Sequence, residues 1–198
     1  MNKTMLKLGL VLALFAGVAC AGLAVVHSLT EETIAAHQKE DLDAALAEIF
    51  PEADGFDVIT SSLSSADERV SIADAYAMKK GSALLGIAVQ AKGPSYGGDA
   101  TLLSGFSPDK KVVRVVILDL KDTPGLGANA ANPSYFVDRP KKITFPGQFA
   151  GKLLSDGFEV KKDVQAITAS TITSRSLTAI VKASGDAAAA YLAKGGAK

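Results

Sequence analysis

Hydrophobic residues are distributed along this chain in two different rhythms. Residues 8–26 form nineteen consecutive positions without a charge. As a helix that run rises about 28 Å, close to the roughly 30 Å hydrocarbon core of a bilayer. Thr30 then reads as a helix N-cap, with Glu31 and Glu32 favourable in a first turn. Ile34, Leu42, Leu46 and Ile49 give the following helix a partly apolar face, and Pro51 ends it. Beyond Pro51 the pattern turns strand-like. Segments 56–60, 70–78, 83–91, 101–106 and 112–118 read as strands, separated by turn signals at Lys79-Lys80-Gly81, Lys92-Gly93-Pro94 and Ser107-Pro108-Asp109. Residues 146–154 read as a short helix, 174–183 and 186–193 as two more, and Gly195-Gly196 as the helical end. Strands clustered between helices predict an α+β fold.

Charge gives the apolar run a direction. Lys3 and Lys7 precede it, while Glu31, Glu32 and Glu40 follow. The bias of positive charge toward the inner face predicts a cytoplasmic tip and transmembrane anchor over residues 1–28, with an extracytoplasmic domain over 29–198. A cleaved signal peptide would have a shorter apolar core, yet this one continues past Ala19-Cys20-Ala21 to Val26. A lipoprotein site at Cys20 would have Leu where Gly17 stands. The expectation is a retained single-pass anchor in the cell (inner) membrane. Gly9, Ala13, Gly17 and Ala21 share one face at four-residue spacing. That stripe suits close approach by another membrane helix, or simply fills a lipid-facing surface.

Composition removes several kinds of chemistry. With the anchor lysines set aside, 19 basic and 21 acidic residues remain, and no basic patch interleaved with aromatics suggests nucleic acid. Cys20 is the single cysteine, so thiols build no disulfide, cluster or zinc site within the chain. His27 and His37 are the only histidines and lie beside the anchor. A Ser-His-Asp triad or a His-based metal centre in the main domain is therefore excluded, and neither a catalytic residue nor a metal ligand is predicted.

The residue types that remain point to phosphate. Thr168-Ala169-Ser170-Thr171-Ile172-Thr173-Ser174-Arg175 places five hydroxyls in seven residues, just before the apolar positions Leu177, Ile180 and Val181. Hydroxyls and free N–H groups at a helix start seat a phosphate well. The same cluster also serves as an ordinary Ser/Thr N-cap. Two glycine-bearing loops add a place for a flat ligand, because no Cβ blocks its approach. They are Tyr96-Gly97-Gly98 and Asp122-Thr123-Pro124-Gly125-Leu126-Gly127, where Thr123 offers a hydroxyl and Leu126 an apolar surface. Each is equally a turn when taken alone.

In this order the motifs resemble the G subunit of the Rnf ion-translocating ferredoxin:NAD oxidoreductase and, more distantly, the C subunit of the sodium-pumping NADH:quinone reductase. The resemblance spans nearly the whole chain. Ile49-Phe50-Pro51 is similar to the family's V-L-P, and Tyr96-Gly97-Gly98 to G-Y-G-G. Asp122 to Gly127 matches E-T-P-G-L-G with Asp for Glu, and Gln148-Phe149-Ala150-Gly151-Lys152 matches Q-F-x-G-K. The hydroxyl run resembles the attachment motif D-x-x-S-G-A-T-x-T-S, whose last Thr of S-G-A-T carries FMN through a phosphoester. That Thr is Thr171 here. The sequence departs from the motif at Gln165 for the acid, Thr168 for Ser, Ala169 for Gly and Ser170 for Ala. Asp163 is the nearest upstream acid, two positions out of register, and Ser170 or Thr173 is an alternative acceptor.

The resemblance implies one FMN-binding domain with a central antiparallel sheet and flanking helices. It implies FMN on Thr171, with Thr168, Ser170, Thr173 and Ser174 around the phosphate and Thr123, Gly125, Leu126, Gly127, Tyr96 and Gly97 around the ring. It further implies an electron-relay role between ferredoxin and NAD branches, with other Rnf membrane and peripheral subunits as partners. A flavin transferase for maturation follows as well, since no histidine stands near to activate a threonine hydroxyl. Two other readings fit the same residues. One is a membrane-anchored FMN module of another reductase or sensor. The other is a flavin-free extracytoplasmic scaffold in which residues 168–174 only cap a helix.

Overall fold

The computed structural model describes residues 3–194. The chain divides into two units, residues 1–41 and 42–198. Gly195-Gly196, expected to close the last helix, lies outside the described residues.

Helix α1 spans Lys3–Ile49 without a break. Thr30 is therefore not an N-cap. Its hydroxyl donates back to the Val26 carbonyl at 2.9 Å and approaches the His27 carbonyl at 3.2 Å. A mid-helix threonine takes this bond to the preceding turn when nothing breaks the helix, and no proline stands before Pro51. In the first unit every described side chain is exposed. One 18-residue window there has mean hydropathy 2.5, long and apolar enough to cross a membrane. Exposed leucines and valines on all sides are what a lipid-facing helix shows, and what a water-soluble helix avoids.

The second unit holds a five-stranded antiparallel sheet in the order β1 (Gly55–Val58), β2 (Ser71–Lys80), β3 (Ala83–Pro94), β4 (Asp99–Phe106), β5 (Val112–Leu120). Successive strands are neighbours, so every connection is a local hairpin or loop. Helix α2 (Thr171–Ala193) packs on one face of the sheet, where Leu177, Ile180 and Val181 join Ile87, Val89, Leu102 and Phe106. The last turns of α1 and Phe50 pack on the other face against Tyr76, Met78, Ala88 and Leu103. Glycines admit them: a Cβ at Gly86 would collide with the Phe50 ring, and one at Gly105 with Ile49. The observed α+β architecture thus has its sheet between helical segments.

Several elements differ from the sequence expectation. Lys92-Gly93-Pro94 is not a turn but the end of β3, and Pro94 pairs with Asp99 in the register. Proline is tolerated there because a strand end needs no further ladder donor. The reversal falls instead at residues 95–98, closed by Ser95 N–H donating to the Gly98 carbonyl at 2.7 Å. The two expected C-terminal helices are one. Gly185 lies mid-helix because a Cβ there would come within 2.8 Å of Leu154 Cδ2, so packing rather than a break explains it. Residues 146–154 form only a 3₁₀ turn at Pro146–Phe149. Two strands unseen in the sequence, β6 (Phe136–Asp138) and β7 (Ile143–Thr144), are too short to leave a periodic trace.

Candidate functional site

Three segments far apart in sequence meet beside the N-terminus of α2: the 95–98 hairpin loop, the loop after β5, and residues 165–173. Asp122 joins them. Its side chain is 5% exposed. It accepts from Ser95 Oγ at 2.9 Å, from the Gly97 N–H at 2.7 Å, and from Thr173 Oγ1 in a short bond. Two hydroxyls and one backbone N–H thus converge on this carboxyl group. The glycines make room for this arrangement. A Cβ on Gly127 would stand 2.5 Å from Asp122 Oδ2 and 2.6 Å from Thr173 Oγ1, and one on Gly97 would collide with the Lys121 carbonyl.

The three segments enclose a cleft of about 570 Å³, lined by Tyr96, Thr123, Leu126, Gly127 and residues 169–173. Tyr96, Leu126 and Ile172 give it an exposed apolar rim. The loop at 123–128 is held by its own backbone: the Leu126 and Ala128 N–H groups both donate to the Thr123 carbonyl, at 3.1 and 3.2 Å. Gly125 takes φ +77° there, a left-handed conformation in which a glycine costs least.

The hydroxyls of 168–174 occupy different environments. Thr171, the first residue of α2, is half-buried and lines the cleft. Thr173 lines it too, but it is buried and its hydroxyl is committed to Asp122. Ser174 is fully buried and does not line the cleft. It donates to the Ser170 carbonyl and accepts from the Ile167 N–H, both at 2.9 Å. Ser170 is 7% exposed, makes no capping hydrogen bond, and its Oγ has no partner. Thr168 is exposed and lines a separate cavity of about 410 Å³ with Tyr135, Arg139 and Gln165. Gly97 and Gly125 shape the loops without lining the cleft. Of the expected residues, the structure therefore gathers Tyr96, Thr123, Leu126, Gly127, Ser170, Thr171 and Thr173 in one place.

Asp163 does not reach the hydroxyl run. It accepts from the Phe158 N–H at 3.0 Å and the Glu159 N–H at 2.5 Å, and pairs with Lys152 at 3.0 Å. Burial works against its charge, but the Glu159 N–H, the Lys152 ammonium and the Phe158 N–H outweigh that and hold its pKa below the usual carboxylate value. The segment leading to α2 is fixed elsewhere. The Gln148 side chain accepts from the Gln165 N–H at 2.7 Å and donates to the Gln165 carbonyl at 3.2 Å, and Tyr135 Oη accepts from the Thr168 N–H at 3.2 Å.

Sequence reasoning named neither Asp122, Gln148 nor Tyr135 as site residues. The first two stand inside motifs it had matched, and only their contacts reveal the role. Tyr135 left no signal.

The cleft fits a flavin nucleotide on structural grounds. An uncapped helix start leaves its first N–H groups without intrahelical partners, the arrangement that receives a phosphate. A half-buried hydroxyl stands at that start, and an apolar, glycine-floored space adjoins it. Comparison with known proteins agrees. The model of the RnfG N-terminal region matches residues 1–49, and that of the FMN-binding domain matches residues 95–185. The chain is 32% identical to the G subunit of the proton-translocating ferredoxin:NAD(+) oxidoreductase complex of Clostridium ljungdahlii, covering 81% of this chain and 78% of that protein. It is 29% identical to the G subunit of the Na(+)-translocating ferredoxin:NAD(+) oxidoreductase complex of Acetobacterium woodii, with 92% and 90% covered. The G subunit of the ion-translocating oxidoreductase complex of Cereibacter sphaeroides is 30% identical over 87% of this chain and 79% of its own.

Proposed function

Because this chain belongs to the family of G subunits of Rnf-type ion-translocating oxidoreductase complexes, we propose that it is the membrane-anchored, FMN-carrying electron-transfer subunit of such a complex, relaying electrons between the ferredoxin and NAD branches. The observation that carries this reading is the single cleft in which the loops at 96 and 123–127 meet the hydroxyl-rich start of α2, inside the region matching an FMN-binding domain.

Bound FMN supplies the electron chemistry, exchanging one or two electrons. The chain's own residues hold and enclose it. Thr171 Oγ is the attachment point, because it alone among the five hydroxyls is half-buried, lines the cleft and is not committed to another group. The first-turn N–H groups of α2 and the positive end of its dipole hold the phosphate. Thr123, Leu126, Gly127 and Tyr96 flank the ring. The described part of the 42–198 unit holds no histidine to activate Thr171, so a separate flavin transferase forms the ester. A covalent tether keeps the flavin at high local concentration where free FMN would diffuse away.

The anchor, residues 1–28, crosses the inner membrane with Lys3 and Lys7 on the cytoplasmic side, and the domain from residue 29 faces outward. The other Rnf subunits are its partners. Purification of the complex from its native membrane in mild detergent tests the reading. This chain should co-purify with the others and keep flavin fluorescence through denaturing electrophoresis. A colourless chain, or one found outside the complex, contradicts it.

A further inference from the structure

Asp122 presents a feature that the attachment of a cofactor does not explain. It is a buried carboxylate whose three donors, Ser95 Oγ, Gly97 N–H and Thr173 Oγ1, are all uncharged. The adjacent cation, Lys121, turns instead to Asp119 at 3.4 Å. Hydrogen bonds satisfy the oxygens of Asp122 without cancelling the charge, and in a buried setting a charge acts over a longer range than in water. Its place is equally specific. Gly127 and Thr173, both in contact with Asp122 or within reach of it, are themselves walls of the cleft. The negative charge therefore lies one residue layer behind the surface that a ligand would touch.

Resting on the flavin reading of this cleft, we infer that Asp122 is a positioning residue with an electrostatic role: it locks the three segments together and lowers the reduction potential of the flavin held there. Reduction adds negative charge to a flavin, and a fixed negative charge behind the wall opposes that addition. Protein groups near a cofactor tune its electronics in this way. A flavin kept at low potential suits a relay that must hand its electrons onward. The same bonds position the ring-side loop against the helix start, because Thr173 lies on α2 and Ser95 and Gly97 on the hairpin.

The test uses the full-length chain, produced with a flavin transferase and titrated spectroelectrochemically. Asp122→Asn keeps the shape and removes the charge. Its midpoint potential should rise by at least about 30 mV, a tenfold change in the two-electron equilibrium. Asp122→Glu restores the charge and should return toward the wild-type value. Ser95→Ala removes a donor that partly offsets the charge, so its potential should fall; this variant decides the matter if Asp122→Asn does not fold. A structural carboxylate alone would lower the thermal melt of all three without moving the potential, and that result overturns the inference. So does a rise in potential for Ser95→Ala. A wild-type chain with no flavin absorbance overturns the underlying reading instead, and the inference with it.

Discussion

The loops at 95–98 and 122–127 line the same cleft as residues 169–173, but the two sides are held on different terms. On the loop side left-handed backbone falls on the glycines Gly98 and Gly125, and the buried carboxylate of Asp122 is hydrogen-bonded by three donors. On the helix side the left-handed position falls on Ala169, at φ +59°, and the buried Ser170 Oγ has no partner. The family motif that this segment resembles has Gly and Ala at those two places. Strain and an unmet polar atom thus sit side by side at the start of α2, across the cleft from the glycine-bearing loops. Such strain persists only because the surroundings over-determine it: here the Gln148 clamp on Gln165 and the buried Ser174 bonds do so.

Breaking the loop side should have the largest effect. Asp122→Ala strands the buried Thr173 Oγ1, and an unpaired buried group costs about 1–3 kcal/mol; Ser95 Oγ and the Gly97 N–H, less buried, lose their partner but can turn to water. A loss on the order of 2 kcal/mol is expected, lowering the thermal midpoint by roughly 5 °C. A melt within a degree or two of wild type would show that the three segments do not depend on this carboxylate.

Relieving the strained side should do the reverse, and more gently. Ala169→Gly removes a left-handed penalty of about 1–2 kcal/mol, set against the greater freedom glycine gives the unfolded chain. The net gain should be about 0.5–1 kcal/mol, seen as a rise of roughly 2–3 °C. Ser170→Ala removes the unpaired hydroxyl and should be neutral or slightly stabilising. If both variants melt lower than wild type, the contrast between the two sides is wrong.

Acid gives the smallest effect. Asp163 has a pKa below its usual value, so its contribution to stability is present above the unfolded value and fades as pH falls through the folded one. Asp163→Asn should therefore lose stability at neutral pH. As pH falls below about 4 the gap to the wild type should shrink, closing only below the folded pKa. A constant gap between the two down to acid pH would remove Asp163 from the account.

The strands were readable because alternation survives wherever one face of a sheet is buried; β2 to β5 lie within a few residues of their expected bounds. The helices were less so. Thr30 looks like a cap in the local sequence, yet nothing after it breaks the helix, and Gly185 looks like a stop because its packing against Leu154 and Phe106 is a tertiary fact. Within the site, the cleft-lining residues were legible as hydroxyls and glycines in two loops and a helix start. The division among the hydroxyls was not. Thr173 and Ser174 differ from Thr171 only in which way the first turn of α2 faces, and Asp122 acquires its meaning from partners 25 to 51 residues away.

Intact-mass spectrometry of the protein from its native membrane, with fragmentation to locate any adduct, tests the central claim most directly. The account predicts a gain of one FMN less one water, carried on the peptide containing Thr171 and absent from Thr171→Ala. An unmodified mass for the native protein, or an adduct that remains in Thr171→Ala, would contradict it.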